Sequence, residues 1–321
     1  MSFITNIRSV AKYESKILVR SWFFRIFTLL AVVFLGFFNF AMMLMEDNFG
    51  LWFAKSVSSN IPYLNLLLLN TGQAVVAVFL SSEFLKRDKK LDTSEVFYVR
   101  PLSNAEYVVG KIWGNLRVFL FLNLLVLAIV LAFNFMASGV TVDLPAYLIY
   151  FFLISIPTLI FIIGLSIFLM LLLKNQALTF ILLLGYIGLT LFYIQDKFYY
   201  LFDYMVYNLP LFKSTIVGFS NLELILNHRA IYFFAGLGFI FFTIFLFKRL
   251  PNARRSHYPW LFLSFCMFLL MGTAGFRHVR SILREGEMRA LYTSINNKYV
   301  YEPKMAIDYY DISVEQKSET I

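Results

Sequence analysis

Seven apolar runs separated by polar stretches dominate the chain, near residues 26–45, 61–82, 113–136, 146–173, 177–194, 230–247 and 258–276. Each is at or near the about 20 residues a helix needs to cross roughly 30 Å of hydrocarbon. The fifth and sixth are short, which leaves their ends the least defined and makes six spans the alternative count. Ahead of them, Phe3, Ile7, Val10, Ile17 and Leu18 recur near helical spacing, while Arg8, Lys12, Lys16 and Arg20 step by four along another face. This pattern predicts an amphipathic helix within 1–22, lying on the cytoplasmic surface with its basic stripe on anionic membrane lipid.

Composition agrees with the pattern. Of 321 residues, 60% are hydrophobic and only 15% charged, with mean hydropathy +0.72. That is more apolar surface than a soluble core encloses, and it excludes a soluble enzyme, a nucleic-acid-binding domain and a disordered chain. The predicted fold class is an all-α polytopic membrane protein. The formal charge of +9 is explained by placement rather than by nucleic acid. Five Lys and Arg stand at the amino end, seven after the second span, one (Lys174) after the fourth and four after the sixth, whereas the alternate loops hold only Lys55, Lys197, Lys213 and Arg229. Positive loops stay inside, so the amino terminus is expected in the cytoplasm and, after seven crossings, the carboxyl tail outside. The start lacks a signal-peptide core, so the first run is expected to be retained. The single cysteine, Cys266, rules out an internal disulfide and a multi-cysteine metal site.

Two connections are long. Residues 195–229 form an external, aromatic-rich stretch, expected to fold back into the interface as short helices split at Pro210, or else to hug the membrane as an ordinary loop. Between spans two and three, Asp92 with Glu95 can cap a short helix over Thr93–Val99, which Pro101 ends at Arg100. Ser103 with Glu106 reads as a capping box, and Leu102 with Tyr107 as its hydrophobic staple, so a second helix starts at Asn104 and runs through Gly110 into the third span. A short helix presenting Leu91, Val96, Phe97 and Tyr98 among charges, tied at both ends to spans, suits docking of a cytoplasmic partner.

Glu83, Leu91, Thr93, Glu95, then Arg100-Pro101-Leu102-Ser103, Glu106-Tyr107 and Gly110-Lys111 resemble the pattern of type-2 ABC exporter permeases. The resemblance extends over roughly residues 1–250: a connecting helix at 1–22, a six-span permease domain at 23–250, a coupling loop at 83–111, a short second cytoplasmic loop at Lys174-Asn175-Gln176 and the re-entrant segment 195–229. It implies that Leu91, Glu95, Val96, Phe97, Tyr98 and Val99 form the coupling helix that docks on a separate ATPase subunit, flanked by Glu83, Pro101, Ser103, Glu106, Tyr107, Gly110 and Lys111. It further implies a dimer with a second permease copy or paralogue, in a bacterial inner membrane. This chain is then not itself an enzyme and binds no cofactor, ATP and Mg being held by the partner. In keeping with that, Gly110-Lys111 lacks the first glycine and the Ser or Thr of a phosphate-binding loop.

Other chemistry is sparse. His228, His257 and His278 show no metal-ligand spacing, and no serine sits in a hydrolase elbow. Arg25 and Arg117 are the only ionisable residues expected inside spans, where their stems can snorkel. Asn70, Gln73, Asn115 and Asn123, with Asn65, either line a translocation path or bond helices together. Residues 251–276 add a linker and a seventh span. Residues 277–321 read as a juxtamembrane helix broken near Gly286, followed past Pro303 by either a first strand of a larger β domain, Tyr310 to Val314, or a disordered tail. The Tyr310-Asp311-Ile312-Ser313-Val314 run resembles the opening strand of an aminopeptidase-like module fused to bacterial permeases. The alternatives to an exporter are therefore a membrane anchor for such an external domain, or a polytopic lipid-modifying enzyme.

Overall fold

A computed structural model describes residues 3–44, 57–82, 102–136, 142–194, 196–214, 218–247 and 258–302, together with 309 and 311. Seven of its helices are long and apolar enough to cross a membrane, and the chain is an all-α, multi-pass membrane protein. Helix α1 (Phe3–Arg20) precedes α2 (Trp22–Leu44), α3 (Asn60–Ser82), α4 (Asn104–Met136), α5 (Leu144–Leu173), α6 (Gln176–Ile194), α7 (Leu222–Leu246) and α8 (Tyr258–Lys298). The chain divides into two compact units, Met1–Val279 and Arg280–Ile321.

Local signals set the helix starts. Ser103 and Glu106 make the reciprocal bonds of a capping box: the Ser103 N–H donates to Glu106 Oε2 at 2.6 Å and the Glu106 N–H to Ser103 Oγ at 3.2 Å, so α4 begins at Asn104 as expected. Asp143 caps α5 ahead of Pro145, and Asn175 caps α6. Asn221 accepts from the Leu224 N–H at 3.0 Å and starts α7 at Leu222, eight residues before the apolar run near 230. Helix α8 continues unbroken through Gly286 to Lys298, correcting the break expected there. One glycine costs only about 1 kcal/mol in a helix. The strand expected at 310–314 and the coupling helix expected at 91–99 lie outside the described residues.

In the first unit, α3, α4, α5 and α7 form the buried centre, while α2, α6 and α8 leave most of their apolar surface open. The tightest crossing joins α5 to α7 at Gly164 and Gly236. A Cβ on Gly236 would stand 2.7 Å from the Ile160 carbonyl, and one on Gly164 2.7 Å from the Gly236 oxygen, so backbone meets backbone. Helix α5 widens into a π turn at Phe151–Ser155, just before Pro157.

The stretch before α7 is not the pair of short helices expected. It holds a 3₁₀ turn at Phe198–Tyr200, then turns, then a small hairpin of β1 (Lys213–Ser214) and β2 (Gly218–Phe219) in register Lys213↔Phe219. Tyr204, Val206 and Leu211 are fully buried, so the segment plugs the bundle. Turn bonds within the segment and the Asp203 carboxyl group take up many of its N–H groups, while helix side chains donate to several of its carbonyls. Tyr63 on α3 donates to the Val206 carbonyl at 3.2 Å, Tyr150 on α5 to Leu211 at 2.7 Å, and Tyr232 on α7 to Leu201. Irregular backbone survives among membrane helices only when protein supplies such partners.

Candidate functional site

Three groups of polar side chains stand out in an otherwise apolar bundle. The first is the seat of α1 on α4, and it is built from the coupling-motif residues that follow the loop. Glu106 serves the capping box with one oxygen and accepts from Asn6 Nδ2 of α1 with the other, at 2.9 Å. One turn on, Gly110 lets α1 approach, since a Cβ there would lie 2.7 Å from Val10 Cβ. Lys111 pairs with Glu14 at 3.6 Å, both side chains under 5% exposed. Gly114 gives its carbonyl to Ser15 Oγ at 2.7 Å, and Arg117 bonds Ser15 and the Ala11 carbonyl. Tyr107, on another side of α4, stacks on Phe247 at the end of α7, with ring centroids 5.4 Å apart.

These contacts revise one expectation, since Arg117 bonds Ser15 and Ala11 of α1. The buried face of α1 is the narrow one of Asn6, Ala11, Glu14, Ser15 and Leu18, laid along α4 in the same direction. Glu83 and residues Leu91 to Val99, with Glu95, Val96, Phe97, Tyr98 and Pro101, lie outside the described residues, so the seat is the described part of the motif.

A second group lies at mid-bundle. Asn70 Nδ2 on α3 donates to Asn123 Oδ1 on α4 at 3.0 Å and to Ser155 Oγ in the π turn of α5 at 3.2 Å, Ser155 donates to Asn123 at 2.8 Å, and Asn123 Nδ2 donates to Gln73 Oε1 at 2.9 Å. All four are at most 2% exposed. Three of the four residues expected to line a path or join helices are thus brought together as a hydrogen-bonded joint of three helices. Asn115 is buried on α4 eight residues earlier, about 12 Å along the helix. Asn65 pairs reciprocally with Asn39 of α2, at 2.7 and 3.1 Å. In the joint, Asn70 Oδ1 and Gln73 Nε2 have no partner, leaving one acceptor and one donor for a neutral polar group.

The third group escaped the sequence reading. Arg229, counted there as a loop charge, lies in the second turn of α7 at 3% exposure. Its Nε donates to the Leu153 carbonyl at 2.6 Å, Nη1 to Tyr204 at 2.9 Å, and Nη2 to Thr158 Oγ1 at 2.8 Å and the Ile154 carbonyl at 3.3 Å. The fork therefore ties the plug to the π turn. His228 and His278, on different helices and scattered in sequence, sit with ring centroids 5.1 Å apart, and their Nε2 atoms donate to the successive carbonyls of Tyr200 and Tyr199. Those carbonyls belong to a left-handed turn, with φ of 52°, 58° and 62° at Phe198, Tyr199 and Tyr200. Such backbone costs roughly 1–2 kcal/mol per residue and needs outside support. Within the plug, burial pushes the Asp203 carboxyl above its usual range, against the opposing pull of the Asn208 and Tyr207 N–H groups that it accepts and of nearby Arg229. The Asn221 cap was the signal that would have placed His228 and Arg229 inside a helix.

Among the described residues no cluster of three or more His, Cys, Asp or Glu could hold a metal ion. No protein-family pattern, no curated protein and no solved structure matches this chain.

Proposed function

We propose that this chain is the transmembrane subunit of an ATP-driven exporter of the type-2 ABC permease kind, working with a second permease copy or paralogue and with separate cytoplasmic ATPases in a bacterial inner membrane. Closure of the ATPases would push on the loop at 83–101, and the push would enter α3 and α4, which flank it. The observation that carries this reading is the seat. Ser103, Glu106, Gly110 and Lys111 stand directly after the loop and bolt α1 to α4 through a capping box, a buried amide bond and a buried ion pair, so the loop is anchored to a stiff two-helix element rather than to a single helix end. From α4 the displacement reaches the joint of Asn70, Gln73, Asn123 and Ser155, whose unpartnered donor and acceptor suit a polar group passing between the helices.

The test is purification of the tagged chain from its native membrane. An ABC ATPase, identified by its phosphate-binding-loop peptide, should accompany the unaltered chain, and Phe97→Asp should strip it away while the permease still elutes as a folded species. Loss of neither sinks the exporter reading. The anchor reading draws on α8, which at 41 residues exceeds the length a crossing requires; it expects the chain to emerge without any ATPase.

A further inference from the structure

Helix α8 is lightly attached to the rest of the first unit. Of its 41 residues only Ser264, Ala274 and His278 are buried. Two of these carry polar contacts: Ser264 Oγ donates to the Gly238 carbonyl of α7 at 2.9 Å, and His278 Nε2 to the Tyr199 carbonyl of the plug at 2.9 Å. The second bond lands on a turn that packing does not hold. Phe198, Tyr199 and Tyr200 are left-handed, yet the side chains of Phe198 and Tyr199 are 62% and 46% exposed. Bonds to the backbone must then supply the outside support that such a conformation needs. Two of them form a clamp. His228, fixed in α7, holds the Tyr200 carbonyl at 3.0 Å while His278 of α8 holds its neighbour, with the two rings 5.1 Å apart. One jaw therefore belongs to the bundle and the other to a helix with little buried surface.

We propose that α8 is a removable latch on the plug. Docked, it brings His278 to Tyr199 and closes the clamp on the turn at 198–200. Undocked, Tyr199 loses that bond, the turn relaxes and the plug loosens, while α3, α4, α5 and α7 stay assembled. The bundle's centre is built without α8: neither the crossing of Gly164 on Gly236 nor the joint of Asn70, Gln73, Asn123 and Ser155 uses any of its residues. The plug's other anchors act further along the segment. Tyr232, Arg229, Tyr63 and Tyr150 hold the carbonyls of Leu201, Tyr204, Val206 and Leu211, so the turn ahead of them is the part that α8 governs. Local opening starts where few buried contacts resist it, and both α8 and this exposed turn meet that condition. The proposal is independent of the exporter reading, since every contact it uses lies within this chain.

The experiment follows backbone hydrogen exchange by mass spectrometry in the full chain, purified in detergent. In His278→Leu the peptide covering 198–208 should exchange about ten-fold faster than in the parent, the effect of one lost backbone bond, while peptides of α5 and α7 keep the parent's rate. His278→Gln keeps an N–H for the Tyr199 carbonyl and should stay within about two-fold of the parent. Ser264→Leu separates a latch from a local contact. It deletes the bond to Gly238 and wedges α8 from α7 at a point fourteen residues from His278, ~21 Å along the helix, and it should speed exchange of the same plug peptide. A plug that keeps the parent's rate in Ser264→Leu while His278→Leu accelerates it marks a local bond and overturns the latch. Unchanged exchange in both variants overturns it too, as does His278→Gln matching His278→Leu. Acceleration spread evenly over the plug, α5 and α7 makes α8 part of the core and overturns it equally.

Discussion

Arg229 supplies the hydrogen-bond donor that Pro157 lacks. Proline 157 has no N–H for the Leu153 carbonyl four residues earlier, and the guanidinium of Arg229 on the neighbouring helix donates to that same oxygen at 2.6 Å. The remaining nitrogens bind Ile154, Thr158 and Tyr204. A π turn, a buried cation and a plug of irregular backbone are thus joined through one guanidinium.

Arg229→Met should therefore destabilise the fold, since it takes the side-chain donor from the Leu153 carbonyl and leaves the Tyr204 carbonyl with Thr158 Oγ1, a buried group left unpaired costing about 1–3 kcal/mol. Pro157→Ala restores an N–H next to the Leu153 carbonyl. The double variant should unfold at a higher temperature than Arg229→Met alone, with a coupling of about 0.5–3 kcal/mol in a thermal double-mutant cycle in detergent. Strict additivity would refute the link.

How much of this was legible in the chain depends on the range of the interactions. The spans are local, being length and hydropathy, and all seven appear. The capping box at Ser103 and Glu106 is local too, and α4 starts where it says. The seat is not local: nothing in the run from Gly110 to Arg117 announces that Glu14 and Ser15, about a hundred residues earlier, complete it. The plug is the extreme case. Its carbonyls at 200, 201, 204, 206 and 211 are held by Tyr63, Tyr150, His228, Arg229 and Tyr232 from three helices, and periodicity, which reports repeating faces of regular elements, has no signal for such contacts. One misplaced boundary compounded the loss, because starting the sixth span near 230 put His228 and Arg229 in a loop.

Lys111→Met should loosen α1 from α4. It removes the Lys111 ammonium from the buried Glu14 carboxylate, where breaking a buried pair costs up to about 3–5 kcal/mol, whereas the paired change with Glu14→Gln should recover part of that loss. Limited proteolysis near Arg20 reports the release directly. Equal protection of Lys111→Met and the parent would show that the ion pair does not hold the seat.

Glycine substitutions separate backbone contact from mere sequence. Gly236→Ala puts a Cβ 2.7 Å from the main chain of Ile160 and Phe161, where nothing flexible can yield, so α5 and α7 must part. Gly185→Ala on α6 meets nothing within 4 Å. The first should cost about 1–3 kcal/mol or more as overpacking, and the second should be neutral or stabilising by a few tenths to about 1 kcal/mol. Comparable melting temperatures for the two would contradict the crossing described above.

The pH response of the plug follows from Asp203. Burial holds its carboxyl above the unfolded value of about 3.9, so the native plug binds its proton more tightly than the unfolded chain does. Stability from this group is complete below pH 4 and is lost as pH rises through the raised native value. The sign is opposite to that of a salt-bridged aspartate. Asp203→Asn carries no titrating group, and although it forfeits one of the two bonds to the Tyr207 and Asn208 N–H groups, that loss is the same at every pH. The difference in melting temperature between parent and variant should therefore drift in the variant's favour as pH climbs from about 4 toward neutrality. A drift the other way would mean that Arg229 and the two backbone donors outweigh desolvation, and that Asp203 is held as a carboxylate by the plug.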